Sequence, residues 1–177
     1  TIQIRLAEMA RKITTAQLFL ALAKEVPVGG KKAANPYKQW SDIDPSLPKV
    51  KIEVLGPPPT SGTRDAFVEL VMTPGCAAAA GAKDAGITGA ACNTVREDGA
   101  FIEAGENDVL IVRKIEANKD AFGIFGFSFL DQNADKIQGS MVEGVVPTFE
   151  NIASGKYSVS RPLFFYVKKA HAGTIPG

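Results

Sequence analysis

One short segment of the sequence carries residue types suited to binding an anion: the run Thr60, Ser61, Gly62, Thr63 and Arg64. It follows a β-branched stretch and precedes a helical pattern, so it is expected to begin a helix. The start of a helix has unpaired backbone N–H groups and a partial positive charge, and both favour an anion. The glycine allows a close backbone approach, the hydroxyls are donors, and the guanidinium is a bidentate fork. Together these groups suit a tetrahedral oxyanion such as phosphate or sulfate.

The same residues also fit an ordinary helix cap, in which Ser61 accepts a backbone N–H and Arg64 is solvated. Two enzymatic interpretations fit less well. The segment is not a nucleotide P-loop, because Gly62 is followed by Thr63 and Arg64 and not by Lys and Ser or Thr. It is not a nucleophile elbow, because the flanking glycines are missing and the chain has a single histidine, His171. Anion binding and simple capping therefore both remain open from the residues alone.

The elements around this segment indicate how it is positioned. A strand is predicted over Val50–Leu55 and a helix over Arg64–Met72, with Thr73-Pro74-Gly75 expected to end that helix. Further helices are predicted over Thr14–Glu25, which begins with capping-box spacing, and over Glu106–Asn118. This alternation of strands and helices predicts an α/β fold.

Two aromatic regions are expected to serve mainly in packing, the alternative for Trp40 being a ring that stacks on a ligand. Trp40 lies in a polar stretch and is predicted to anchor it against the core. The apolar run Ala121–Leu130 is predicted to form a strand followed by a turn.

Composition excludes several classes of function. The chain has 177 residues with 20 basic and 19 acidic side chains, a formal net charge of +1. Such a balance argues against nucleic acid as a partner, and the lack of an apolar run of about 18 residues argues against direct membrane insertion. Cys76 and Cys92 lie 16 positions apart and the chain has one histidine, so neither a metal site nor a histidine-based triad is expected.

The segment Gly56–Phe67, with the sequence GPPPTSGTRDAF, resembles the phosphate-contacting turn of the periplasmic phosphate-binding proteins of ABC transporters. Further similarity to that family follows in the same order along the chain, over Gln17–Ala23, Tyr37–Asp44, Phe125–Ser128, Gly144–Thr148, Tyr157 and Arg161–Leu163.

The resemblance implies a type II periplasmic-binding-protein-like lobe, with a mixed sheet flanked by helices. Residues 14–170 correspond to the second lobe with part of the return to the first, between an N-terminal segment, 1–13, and a truncated C-terminal segment, 171–177. The first lobe's own turn and ligands are not visible, so the chain is expected to be a fragment of a solute-binding protein.

The resemblance also implies a function. It predicts a component of an ABC phosphate uptake system that is periplasmic, binds inorganic phosphate, works with a membrane permease, uses no cofactor and is not an enzyme. The family pattern Arg-x-x-x-Ser-Gly-Thr carries over Ser61, Gly62 and Thr63 as phosphate ligands. Its arginine corresponds to Pro57, and Arg64 is inferred to substitute for it. The alternative is a structural or interaction module on the same fold with a vestigial anion site.

Three further expectations depend on this assignment. A periplasmic location predicts a disulfide between Cys76 and Cys92, the alternative being two buried free thiols. Asp65 is expected to pair with Arg64 more than to contact a ligand. Near the interlobe cleft that the family implies, Phe127 is expected to serve in packing, with at most peripheral contact to a ligand.

Overall fold

This computed structural model describes residues 12–162, 164 and 166–169. The first helix, α1, spans Thr15–Leu22. Thr14 and Gln17 form the predicted capping box. The helix ends earlier than expected, because residues 25–34 form a hairpin of strands β1, Glu25–Val28, and β2, Lys31–Ala34. The Gly29-Gly30 turn has φ values of 57° and 77°, which a tight hairpin turn requires. Apart from Lys12 and Ile13, the two terminal segments, 1–13 and 171–177, lie outside the described residues.

A three-stranded parallel sheet forms the centre of the fold, in the order β4-β3-β5. Its strands are β3, Val54–Gly56; β4, Phe101–Glu103; and β5, Phe122–Gly123. Val54 belongs to one hydrophobic cluster and Leu55 to the other, since consecutive strand residues face opposite sides. Helices therefore cover both faces of the sheet, which confirms the α/β class. The antiparallel hairpin lies outside the parallel sheet.

A continuous helical run follows β3 and consists of α3, Gly62–Phe67, a π-helical stretch, Val68–Met72, and α4, Thr73–Ala78. The predicted stop at Thr73–Gly75 is wrong. Pro74 cannot donate a backbone hydrogen bond, but the wider π turn precedes it and the Thr73 hydroxyl donates to the Val68 carbonyl at 3.1 Å.

Gly75 provides the close contact between α4 and α1. A Cβ at this position would lie 2.2 Å from the Thr15 carbonyl oxygen. The glycine is therefore a packing notch and not a helix breaker. The next residue, Cys76, is bonded to Cys92 in α5, Ala90–Asn93, so the predicted disulfide is present.

The remaining helices are α2, Trp40–Ile43; α6, Asp108–Ala117; α7, Phe127–Gln132; and α8, Phe149–Ala153. Trp40 is fully buried with its ring centroid 4.7 Å from that of Phe122, which confirms it as a packing anchor. The strand expected in Ala121–Leu130 is only two residues long, and α7 follows it where a turn was predicted. None of the described helices has the length and apolar character needed to cross a bilayer.

Candidate oxyanion site

The carboxyl ends of β3, β4 and β5 lie at one edge of the parallel sheet, which we call the carboxyl edge. Three connections leave the strands there: residues 57–61 leading to α3, residues 104–107 leading to α6, and residues 124–126 leading to α7. In open α/β sheets, ligands bind in the crevice outside this edge. All five candidate residues, Thr60 to Arg64, lie in the first connection or the helical turn that follows it.

Ser61 caps α3. Its backbone is extended, and its hydroxyl accepts the Thr63 N–H at 3.2 Å. The Gly62 N–H and the Thr63 hydroxyl have no hydrogen-bond partner among the described residues. A Cβ built on Gly62 would meet no heavy atom within 4 Å, so this side of the turn is open. The cap expected from the sequence is therefore present, and it leaves further donors unused.

Thr60 makes a contact that the sequence did not reveal. Its hydroxyl donates to the Glu106 carboxylate at 3.0 Å, and both side chains are exposed. This bond connects the turn after β3 to the connection after β4. Among the described residues, Thr60 is the one candidate whose hydroxyl proton already has an acceptor.

Arg64 is half-buried and therefore only partly solvated, whereas a simple cap would leave it fully solvated. One guanidinium nitrogen donates to the Pro57 carbonyl at 3.3 Å, and the guanidinium carbon lies 4.2 Å from the centroid of the Phe101 ring. Burial lowers the pKa of this guanidinium, while the charges of Glu103 and Glu97 raise it. Against expectation, Arg64 makes no ion pair with Asp65 or with any other described carboxylate. The side chain reaches back to Pro57, the position where the family pattern has its arginine.

Asp108 connects the other two loops. It is the first residue of α6, and its carboxylate accepts the Gly126 N–H at 3.4 Å. Burial raises the pKa of this carboxyl, and the Gly126 hydrogen bond opposes the shift. Three residues of this edge were not predicted from the sequence: Phe101, Glu106 and Asp108. The parallel order of the strands brings their loops together, and no local sequence pattern specifies that order.

The Phe125–Phe129 segment divides between core and surface. Phe125 is 1% exposed and belongs to the hydrophobic cluster under α6, whereas Phe127 and Phe129 are only partly buried against it. Phe125, and not Phe127, is therefore the fully buried ring of the two. A large contribution to stability is expected from Phe125 and a smaller one from Phe127.

Comparison with known proteins identifies the family. The model of the PBP superfamily domain matches residues 4–177. The phosphate-binding protein PstS of Staphylococcus haemolyticus is 33% identical over 137 residues, which are 75% of this chain and 36% of that protein. Protein SphX of Synechococcus elongatus is 25% identical over 178 residues, covering 97% of this chain and 44% of that protein.

Solved structures show the same fold. PstS from Borrelia burgdorferi superposes with a TM-score of 0.64 at 18% identity, over 89% of this chain and 53% of that chain. An ABC-type phosphate transport receptor from Vibrio cholerae gives a TM-score of 0.57 at 18% identity, over 89% and 52%. The chain thus spans about a third to a half of the length of these proteins. With a family match over almost all of its residues, the chain belongs to the PBP superfamily, and its relatives are phosphate-binding proteins.

Proposed function

We propose that this chain is part of the solute-binding component of an ABC phosphate uptake system, and that it binds inorganic phosphate at the start of α3. The observation that carries the proposal is the set of unused donors in three consecutive residues: the Gly62 N–H, the Thr63 hydroxyl and the guanidinium edge of Arg64. They lie at the carboxyl edge, where ligands bind in this class of sheet. The similarity to a phosphate-binding protein and to a phosphate transport receptor supports phosphate as the anion.

The electrostatics of the turn favour an oxyanion. The helical run from α3 to α4 directs its positive end at Ser61 and Gly62. A half-buried guanidinium without a carboxylate partner has lost part of its hydration, so an anion that accepts its N–H groups restores the lost interactions. A phosphate oxygen accepts hydrogen bonds from a backbone N–H, a hydroxyl and a guanidinium alike.

As a binding protein the chain needs no catalytic group, and we assign it none. Its place in an uptake system implies a periplasmic location and a membrane permease as its partner. The roles of Ser61 and Thr60 differ in this proposal. Ser61 retains a hydroxyl proton to donate to phosphate, while Thr60 contributes through its bond to Glu106, which holds the turn.

Removal of one backbone N–H donor tests the site. Gly62→Pro removes the N–H at the first helical position, where proline is well tolerated, and the extended backbone of Ser61 suits a residue that precedes proline. The matched control Gly62→Ala keeps the N–H and places its methyl group in open space. Calorimetric titration with phosphate should show binding about 10- to 150-fold weaker for Gly62→Pro, the loss of one charge-assisted hydrogen bond. Equal affinity of the two variants would refute backbone recognition at this turn.

A further inference from the structure

The contact between Arg64 and Phe101 differs from the other interactions of the turn because it places a cation over an aromatic ring, with the guanidinium carbon 4.2 Å from the ring centroid. Phe101 is the first residue of β4 and is 6% exposed. Its ring also lies near that of Phe67 of α3, with the two centroids 6.5 Å apart. The ring is thus a fixed surface, and the guanidinium lies on it.

Gly56, the last residue of β3, makes room for that ring. A Cβ at this position would lie 2.6 Å from Cζ and 2.9 Å from Cε2 of Phe101. The backbone of Gly56 does not have a positive φ, so close approach and not backbone conformation explains the glycine. A larger residue here would displace the ring on which Arg64 rests, one position before the proline-rich turn.

A cation–π contact does not use a carboxylate to hold the guanidinium. Its five N–H groups point outward in the plane of the group, while the face of an aromatic ring attracts the charge of the group as a whole. A carboxylate partner would have occupied the in-plane N–H groups. In this structure one nitrogen donates to Pro57, and the remaining N–H groups have no acceptor within the described part of the chain.

We propose that Phe101 is a positioning residue for oxyanion recognition. With Gly56 making room for its ring, it holds the cation of Arg64 without a carboxylate, so that the N–H groups not bonded to Pro57 stay available to the ligand. This arrangement places a guanidinium near Pro57, although the chain has no arginine at that position. The inference rests on the proposed phosphate site and adds the residue that orients its cation.

A double-mutant cycle tests the inference. Phosphate affinity is measured by calorimetry for the wild type, Phe101→Leu, Arg64→Ala and the double variant. Phe101→Leu should weaken binding about 3- to 30-fold, the range of a partly desolvated cation–π contact. In the Arg64→Ala background the same substitution should have no further effect. The control Phe122→Leu truncates an equally buried ring of the same sheet and should leave phosphate affinity within about twofold.

The outcomes separate the two proposals. A wild type that fails to bind phosphate overturns both. Binding by the wild type, together with equal losses from Phe101→Leu in both backgrounds or no loss at all, overturns the role of Phe101 alone. If Phe101→Leu does not fold, pentafluorophenylalanine at position 101 preserves the shape and reverses the ring quadrupole. Reduced affinity with an unchanged melting temperature then supports the inference, and unchanged affinity contradicts it.

Discussion

Two helix starts in this chain have the same electrostatic requirement and meet it differently. At α1, Thr14 caps the helix and the Glu143 carboxylate accepts both the N–H and the hydroxyl of Thr15, at 2.7 and 2.9 Å. At α3, Ser61 supplies a cap, but no described carboxylate accepts the N–H groups of the first turn. A nearby anion stabilises either helix start. At α1 the anion is the protein's own Glu143 carboxylate, whereas the start of α3 is open to a ligand.

From this difference we propose that the α1 region stabilises the fold and that the α3 turn binds phosphate. Helix α1 packs against α4 at Gly75. Its first residue, Thr15, is hydrogen-bonded to Glu143, which lies 128 positions further along the chain. The α3 turn is exposed at Gly62 and is connected to neighbouring loops through exposed or half-buried contacts. Changes near α1 should therefore alter stability, and changes near α3 should mainly alter phosphate affinity.

The largest expected effect is on the α1 side. Replacing Cys76 and Cys92 together by serine removes a cross-link between α4 and α5 and should lower the free energy of unfolding by about 3 kcal/mol. Phosphate affinity should not change under conditions where the variant is folded. Urea unfolding of the oxidised wild type and the double variant measures the loss. A variant that is as stable as the wild type but binds phosphate poorly would reverse the assignment of the two regions.

On the α3 side, Arg64→Ala should weaken phosphate binding by about 1.5–3 kcal/mol, or about 10- to 150-fold, because a charge-assisted hydrogen bond is lost. Arg113→Ala is the matched control, since Arg113 is an exposed residue of α6. Calorimetry on both variants gives the comparison. Unchanged affinity in Arg64→Ala would leave the turn as a simple helix cap.

The two capping residues allow a direct comparison. Thr14→Ala and Ser61→Ala each remove a side-chain acceptor from a helix start and should each cost about 1 kcal/mol of stability. Only Ser61→Ala should also weaken phosphate binding. Thermal unfolding and phosphate titration of the two variants distinguish the regions, and an equal effect of both on affinity would contradict the difference between α1 and α3.

The smallest effect concerns pH. Because burial raises the pKa of Asp108 in the folded state, the folded chain binds this proton more tightly than the unfolded chain does. The stabilising contribution is therefore complete below the unfolded pKa of about 4 and is lost as pH rises through the folded pKa. Since Asp108 is partly exposed and solvent screens its interactions, the change should be smaller than any of the effects above. Asp108→Asn should remove this part of the pH dependence in urea titrations; an identical slope would rule out Asp108 as its source.

Local chemistry explains which features the sequence could predict. The cap at Ser61, the capping box at Thr14 and the helix over most of residues 106–118 follow from neighbouring residues, and all are present. The continuation of the helix through Pro74 was not predictable in this way, because it depends on a π-helical stretch and on contact between Gly75 and α1. The contacts of Thr60 with Glu106 and of Arg64 with Phe101 depend on strand order, which no local pattern specifies.

We propose that phosphate accepts the Gly62 N–H at the start of α3, and not the Thr15 N–H at the start of α1. Amide chemical shifts in a ¹⁵N-labelled sample, followed during titration with phosphate, test it most directly. Saturable shifts are expected at Gly62, whose N–H has no acceptor among the described residues, with Thr15 unchanged because Glu143 already accepts its N–H. Phosphate-dependent shifts at Thr15, or their absence at Gly62, would contradict it.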